Sequence, residues 1–357
     1  MTPRPILIIA GGTGGHVFPA LAVAEVLARQ SVPVIWLGTP LGLEARVVPQ
    51  ADIPLGTVTV RGLRGNGWAG WLKAPWMVVR AVFETLAVLR LHRPRAVLGM
   101  GGYVAGPGGI AAWLRKIPLI IHEQNAIAGL TNRLLSRRAT RVLTGLDATF
   151  PGDRATTFTG NPVRGAITAL AETDPAPAAP HPRLLVIGGS LGARTLNRVV
   201  PEALARLPVA ERPTVLHQAG ERSLETARSG YREAAIEADV RAFIDDMAGA
   251  YHAADVVICR AGALTVSELA AVGRAAILVP YPYAVDDHQS ANARFLVEAD
   301  AARMIADDAL SAEGLAAVLR PLLTEPATRA RMAANARHVG RPRAAEQVAD
   351  ICLEVSA

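Results

Sequence analysis

Lysine and cysteine are nearly missing from this 357-residue chain. Only Lys73 and Lys116 are lysines among 37 basic residues, and the two cysteines are Cys259 and Cys352. Two thiols so far apart make neither a disulfide framework nor a metal cluster, which fits a reducing compartment. Aromatic residues are also scarce, at 4%. No stretch reads as a membrane span. The longest uncharged segment, Leu98 to Leu114, is dense in glycine and carries Pro107, so it reads as a loop followed by a helix. The first apolar run, Ile6 to Ala10, stops at glycines too soon for a secretory signal. Nucleotide-binding fingerprints are absent as well. The chain reads G-T-G-G-H-V from Gly12 and G-G-S-L-G-A from Gly188, so neither turn is G-x-G-x-x-G. No acidic residue directly follows Trp36-Leu37 to meet a nicotinamide ribose, and no G-K-[ST] is present. These absences argue against a dinucleotide cofactor and against phosphoryl transfer from ATP; no cofactor is expected.

What is there is a repeated unit. Ile6–Ala10 runs into GGTGGH (Gly11 to His16), and Leu184–Ile187 runs into GGSLGA (Gly188 to Ala193). A strand, a glycine turn and a helix start together form an anion site, because backbone N–H groups there are unpaired and the helix dipole adds partial positive charge. Further short strands are expected at Val34–Leu37, Ala96–Leu98, Leu119–Ile121, Val142–Leu143, Thr214–Leu216, Val256–Ile258 and Ala276–Val279. Helical patterns alternate with them, one from Met77 to Leu91 placing Val78, Val82, Leu86 and Leu89 on one face. The alternation predicts an α/β protein of two Rossmann-like, doubly wound parallel-sheet domains facing across a cleft. Their expected extents are 1–165 and 184–342, with a linker at 166–183 centred on the proline-rich Glu172 to Pro182. A tail helix at 343–357 has an apolar side (Val348, Ile351, Cys352, Val355) suited to docking back on the first domain.

Chemistry-bearing residues gather after the predicted strands, where open α/β sheets bind ligands. His16 closes the first glycine turn at the mouth of a helix, a setting for a neutral imidazole that accepts a proton. Gly99 to Gly109 is another glycine-rich loop, and His122-Glu123-Gln124-Asn125 follows Leu119–Ile121. Cys259 to Glu268 enters a helix; Arg260 is placed to clamp a diphosphate and Glu268 to accept from a ribose diol. Asp286, Asp287, His288, Gln289 and Asn292 are suited to reading sugar hydroxyls. Asp245-Asp246 and Asp286-Asp287 are adjacent pairs rather than spaced ligands, so they read as surface acids and no metal site is expected.

Charge and tryptophan are both concentrated in the first half. Residues 1–160 hold 17 basic against 7 acidic side chains, net +10, whereas the remainder is net −4. The asymmetry points to an anionic partner, although an arginine-favouring genome explains it equally well. Trp68, Trp71, Trp76 and Trp113 lie among Arg61, Arg64, Lys73, Arg80, Arg115 and Lys116. Tryptophan interleaved with cations suits the headgroup region of an anionic membrane better than nucleic acid, for which no motif is present. Core aromatics under a loop are the alternative.

Taken in order, GGTGGH with VFPALA, GMGGYVAGPGG, HEQNAIAGLTN, GNPVR (Gly160 to Arg164), GGSLGA, FIDDM (Phe243 to Met247) and CRAGALTVSE resemble the MurG family of bacterial peptidoglycan glycosyltransferases. The resemblance spans Gly11 to Asn292. It implies the two-domain GT-B fold, with lipid acceptor and membrane served by the first half and UDP-GlcNAc by the second. It also implies inverting transfer of GlcNAc to lipid I, giving lipid II at the cytoplasmic face of the inner membrane. No metal ion is required, and other cell-wall synthesis proteins are candidate partners. Carried over residue by residue, it places Thr13, Gly14, Gly15, Asn125, Arg164, Ser190, Ile244, Ala263, Leu264, Thr265, Val266, Ser267, Glu268 and Gln289 around the donor. Ile244 would offer backbone to uracil, Ser190 and Arg260 would meet the diphosphate, and Asn125 and Gln289 the sugar. His16 is the expected general base, with His122 and Glu123 as alternates. Another enzyme of the same fold acting on UDP-sugars, such as an epimerase, is the competing reading.

Overall fold

A computed structural model describes residues 4–60, 67–147, 150, 155–173, 181–189, 192–284 and 287–356, with the backbone alone for 67–74. The chain divides into two compact units. One comprises Met1–Arg164 with Pro342–Ala357, and the other Gly165–Arg341.

In the first unit the order is β1 (Ile6–Ala10), α1 (Gly14–Arg29), β2 (Val34–Gly38), α2 (Glu44–Gln50), β3 (Leu55–Thr57), α3 (Gly67–His92), β4 (Ala96–Gly101), α4 (Ala105–Leu114), β5 (Leu119–Glu123), α5 (Leu130–Leu135), β6 (Arg141–Thr144) and β7 (Thr157–Phe158). The second unit holds α6 (Gly165–Thr168), β8 (Arg183–Ile187), α7 (Arg194–Ala205), β9 (Thr214–Gln218), α8 (Leu224–Glu233), β10 (Ala238–Arg241), α9 (Met247–Ala253), β11 (Val256–Cys259), α10 (Ala263–Val272), β12 (Ala275–Leu278), α11 (His288–Val297), β13 (Ala302–Met304), α12 (Ala312–Thr324) and α13 (Pro326–Val339). The last helix, α14 (Ala344–Glu354), returns to the first unit.

Both sheets are parallel throughout and doubly wound. The first runs β3-β2-β1-β4-β5-β6-β7 and the second β10-β9-β8-β11-β12-β13. In each, the order reverses beside the first strand, between β1 and β4 and between β8 and β11. Such switch points open a crevice at the carboxyl ends of the strands, where this architecture binds ligands. Every residue of β1, β2, β4 and β5 is buried, as expected of strands covered by helices on both faces. Their apolar runs are therefore continuous rather than alternating.

Several boundaries differ from the sequence expectation. The first unit ends at Arg164, one residue from the expected 165, but the chain from Gly165 belongs to the second unit, where α6 packs against α10. The strand expected at Ala276–Val279 is Ala275–Leu278, paired in register with Val256–Cys259. Helix α3 extends well N-terminal of Met77, through Gly70 and Pro75 to Gly67, so the backbone at Trp68 and Trp71 is helical. Its buried side is Ala81, Thr85 and Leu89, with Val82 and Leu86 partly covered.

The tail helix completes the first core. Val348, Ala349 and Cys352 of α14 join Val17, Ala20, Ala24 and Leu27 of α1 in one buried cluster. Burial pushes the Cys352 thiol up to about 12, so it stays protonated and inert. The flanking Arg29–Glu346 and Arg141–Glu354 pairs are exposed and add little. Val348→Asp should cost about 3 kcal/mol by burying an unpaired carboxyl. A denaturation midpoint equal to wild type would contradict this packing.

Candidate active site

The glycine turn after β1 is held from below by a carboxylate. Glu44, fully buried at the start of α2, accepts from the Gly12 amide at 3.0 Å, the Thr39 amide at 2.9 Å and the Thr39 hydroxyl at 2.7 Å. Gly11, Gly38 and Gly42 leave the space it fills, since a Cβ at any of them would strike its side chain. Burial acts to raise its pKa, but the Thr39 and Gly12 hydrogen bonds outweigh it and hold the carboxyl below its ordinary value. One amide of the expected anion site is thus already paired with an internal anion. The start of α1 is otherwise as expected: Thr13 is the extended N-cap and no acidic residue lies in the first turn.

His16 stands on that first turn, partly exposed, with its Nδ1 2.9 Å from Gln124 Oε1 at the end of β5. The two alternates are placed differently. His122 is fully buried, and burial takes its pKa down to about 4 against the opposing pull of Gly160 and Glu123. Glu123, also buried, accepts from the Asn125 amide and side chain, the Gly129 amide and the Asn132 side chain at 2.9–3.1 Å. Glu123 thus organises the turn after β5, and both alternates are buried. Asn125, expected at the sugar, has its side-chain amide on Glu123. Arg164 lies with its guanidinium 5.4 Å from the centre of the Phe18 ring.

In the second unit the turn after β8 is clamped by backbone. Gly192 has φ +75°, and any Cβ there would collide with the Ala219 carbonyl oxygen, so only glycine fits. Gln218 donates to Gly189 O at 3.0 Å from the neighbouring strand. Ser190 and Leu191 lie outside the described residues.

The segment from Ala263 to Glu268 is the first turn and a half of α10, entered from an extended Gly262. Asn292, wholly buried, holds the turn by donating to Ala261 O at 3.1 Å. Ser267 back-bonds to Ala263 O at 2.9 Å, and Leu264 and Thr265 are half-buried. Glu268 is buried and its Oε2 accepts from the Tyr251 hydroxyl at 3.0 Å. Arg274 in turn caps α9 through the Tyr251 and His252 carbonyls at 2.9 and 3.1 Å. Ile244 is buried beside a half-exposed Phe243. Asp246 is the N-cap of α9, accepting from Gly249 N at 2.8 Å, which explains one carboxylate of the FIDDM segment.

Arg260 is engaged within the second unit. Its Nη1 lies 2.5 Å from Asp307 Oδ1 and donates to the Val279 and Pro280 carbonyls at 3.1 and 3.2 Å, with Tyr281 stacked 5.7 Å away. Asp307 Oδ2 accepts from Thr195 in the first turn of α7 at 3.1 Å. Arg260 thus ties together the segments after β8, β11 and β12. Gln289, expected at the sugar, has Oε1 on the Tyr281 amide at 2.9 Å. Glu44, Tyr251 and Asp307 escaped the sequence reading because each acts on residues 17 or more positions away or on a buried turn that no local pattern marks.

No group of three or more potential metal-ligating side chains occurs among the described residues. Two family models cover most of the chain: the glycosyltransferase family 28 N-terminal domain over residues 6–144 and the family 28 C-terminal domain over 183–348. The chain belongs to glycosyltransferase family 28. Among its family 28 relatives, a UDP-N-acetylglucosamine--N-acetylmuramyl-(pentapeptide) pyrophosphoryl-undecaprenol N-acetylglucosamine transferase of Alkalilimnicola ehrlichii is 62% identical over 98% of both chains. The enzyme of that name from Chromohalobacter salexigens is 54% identical over 98% of this chain and 97% of its own. The crystal structure of Acinetobacter baumannii MurG superposes with a TM-score of 0.82 at 40% identity, covering 99% of this chain and 100% of that one.

Glu44→Gln should destabilise the first unit by about 1–2 kcal/mol at neutral pH, through loss of charge-assisted bonds to Gly12 and Thr39. A carboxyl held below its unfolded value of 4.5 adds stability above that pH and loses it as pH falls through the lower folded value. The gap between wild type and variant in thermal denaturation should therefore narrow from pH 7 towards pH 3. A gap that stays constant across that range would contradict the assignment.

Proposed function

We propose that this chain transfers N-acetylglucosamine from UDP-N-acetylglucosamine to MurNAc-(pentapeptide)-pyrophosphoryl-undecaprenol, converting lipid I to lipid II in peptidoglycan synthesis. The observation that carries the reading is full-length identity to enzymes of that activity, with both family 28 domains present in order. The reaction is an inverting displacement. The C4 hydroxyl of the muramoyl sugar attacks C1 of N-acetylglucosamine, its proton passes to His16, and UDP departs as the β-1,4 bond forms. The partly exposed imidazole of His16, in contrast to the buried His122 and Glu123, supports its role.

Donor recognition falls to the second unit. Glu268, its Oε2 fixed by Tyr251, accepts from the ribose diol, and Ile244 offers backbone to the base. Gln289, whose Oε1 is held by the Tyr281 amide, turns its amide nitrogen to the sugar. Charge developing on the diphosphate meets the starts of α7 and α10, the latter through preorganised amide dipoles at Ala263 to Thr265.

The lipid acceptor requires a membrane seat. No helix among the described residues is long and apolar enough to cross a membrane. Three helices packed in series turn apolar side chains outward instead: Trp76, Val79 and Phe83 on α3, Ile110, Trp113 and Leu114 on α4, Leu130 and Leu134 on α5. Trp76 is 76%, Phe83 67% and Leu130 70% exposed, an unusual density of large apolar groups in water. Arg80, Arg115, Lys116, Arg133 and Arg137 are exposed on or beside the same helices, and Arg138 stacks 5.1 Å from the Trp113 ring. Apolar groups flanked by cations support a peripheral seat on the anionic cytoplasmic face of the inner membrane. The side chains of Trp68 and Trp71 lie outside the described residues.

Incubation with UDP-N-acetylglucosamine and a short-chain lipid I analogue should release UDP and give a disaccharide product. His16→Ala should lower kcat by about 10²- to 10⁴-fold with KM for the sugar nucleotide near wild type; unchanged turnover removes His16 from the role. Phe83→Ser with Trp113→Ser should weaken sedimentation with phosphatidylglycerol vesicles while sparing transfer to a soluble acceptor. Equal vesicle binding by the double variant would contradict the membrane seat.

A further inference from the structure

We infer that Gln124 and His122 are positioning residues that fix the tautomer of His16, through a hydrogen-bonded chain anchored on the Gly160 carbonyl that leaves His16 Nε2 as the bare, proton-accepting nitrogen. The inference rests on His16 being the base in the reaction proposed above, and it explains the buried residues of the HEQN and GNPVR segments that the reaction does not touch.

The direction of the chain is forced from its inner end. His122 Nε2 lies 3.0 Å from Gly160 O, and a carbonyl oxygen only accepts, so Nε2 carries a hydrogen. The Thr159 hydroxyl lies farther from Nε2, at 3.4 Å, and makes its shortest contact with Gly160 O, at 3.0 Å. His122 is fully buried and neutral at ordinary pH, so its Nδ1 is a bare acceptor. Gln124 Nε2 sits 3.2 Å from that Nδ1 and 3.3 Å from the His122 carbonyl oxygen. Both neighbours accept, which orients the side-chain amide without reference to His16. Oε1 therefore faces outward, 2.9 Å from His16 Nδ1. An amide oxygen also only accepts, so the hydrogen of the neutral imidazole lies on Nδ1 and the Nε2 lone pair is free to act.

The surroundings leave the chain one arrangement. Asn161, next to Gly160, donates through Nδ2 to the Gln124 carbonyl at 3.0 Å, so the same segment grips backbone and relay together. Gly101, at φ +105°, lies against the imidazole of His16; a Cβ there would come within 2.6 Å of Nδ1. When His16 takes the acceptor proton on Nε2 it becomes an imidazolium, and its Nδ1–H bond to Oε1 becomes charge-assisted and stronger. The chain thus favours the protonated product of the proton-transfer step as well as the tautomer that begins it.

The test compares full-length wild type, Gln124→Met and Gln124→Glu, each with ¹⁵N-labelled histidine, the His16 signals being assigned by their loss in His16→Ala. Wild-type His16 should carry its hydrogen on Nδ1. Gln124→Met should move it to Nε2 and lower kcat by about 10²-fold with KM for UDP-N-acetylglucosamine unchanged. Gln124→Glu keeps an acceptor for Nδ1 and should restore the tautomer and most of kcat. A wild-type hydrogen on Nε2, an unmoved tautomer in Gln124→Met, or a Gln124→Glu variant as slow as Gln124→Met would each overturn the inference. The wild-type spectrum decides the direction of the chain even where a variant fails to fold. Nδ1–H in a protein that transfers no sugar would condemn the proposed reaction and leave the relay standing.

Discussion

A carbonyl oxygen cannot donate, and the arrangement of the first unit follows from that restriction at Gly160. Its neighbours inherit their polarity one after another: His122 must donate to it, Gln124 must donate to His122, and His16 must donate to Gln124. A buried polar chain is costly unless every member is satisfied, and this one closes at its inner end on backbone and opens outward on a single lone pair. The sheet makes such a chain available. Parallel strands β1 and β5 end at one edge, so the helix following β1 and the turn following β5 come within hydrogen-bond reach although His16 and Gln124 are 108 positions apart.

The second unit repeats the topology and uses it for a different task. Its glycine turn is pinned from the neighbouring strand by Gln218 and Ala219, whereas the first is pinned by the Glu44 carboxylate. A turn already paired with an internal anion is poorly suited to holding a second one, and a turn held by neutral groups keeps its dipoles for a ligand. The difference fits a division in which diphosphate recognition belongs to the second unit and proton transfer to the first. Arg260 strengthens that picture indirectly. Its ion pair with Asp307, largely sheltered from solvent and coupled to Thr195, holds the start of α7 in place relative to α10. Removing one partner of such a pair leaves an uncompensated charge.

Much of the fold was legible in the residues, and the reasons are physical. Strands β1, β2, β4 and β5 are covered on both faces, so their apolar runs are unbroken and visible. The edge strands β3, β7 and β13, two or three residues long, carry too little pattern to be seen. The helix dipole at a glycine turn pointed to His16, and the ends of strands pointed to His122–Asn125 and Ala263–Glu268. Which of these side chains face a ligand was not legible, because exposure is set by partners distant in sequence. His122 and Glu123 look as reactive as His16 until Gly160, Asn132 and Gly129 are seen to occupy them. Asp307, the partner of Arg260, lies 47 positions on, beyond the reach of any local pattern.

The account is tested most directly by a crystal structure of this protein with a short-chain lipid I analogue bound. The muramoyl C4 hydroxyl should lie about 2.6–3.2 Å from His16 Nε2, the reach of a general base. A C4 hydroxyl held by some other side chain, with His16 Nε2 turned to solvent, would contradict it.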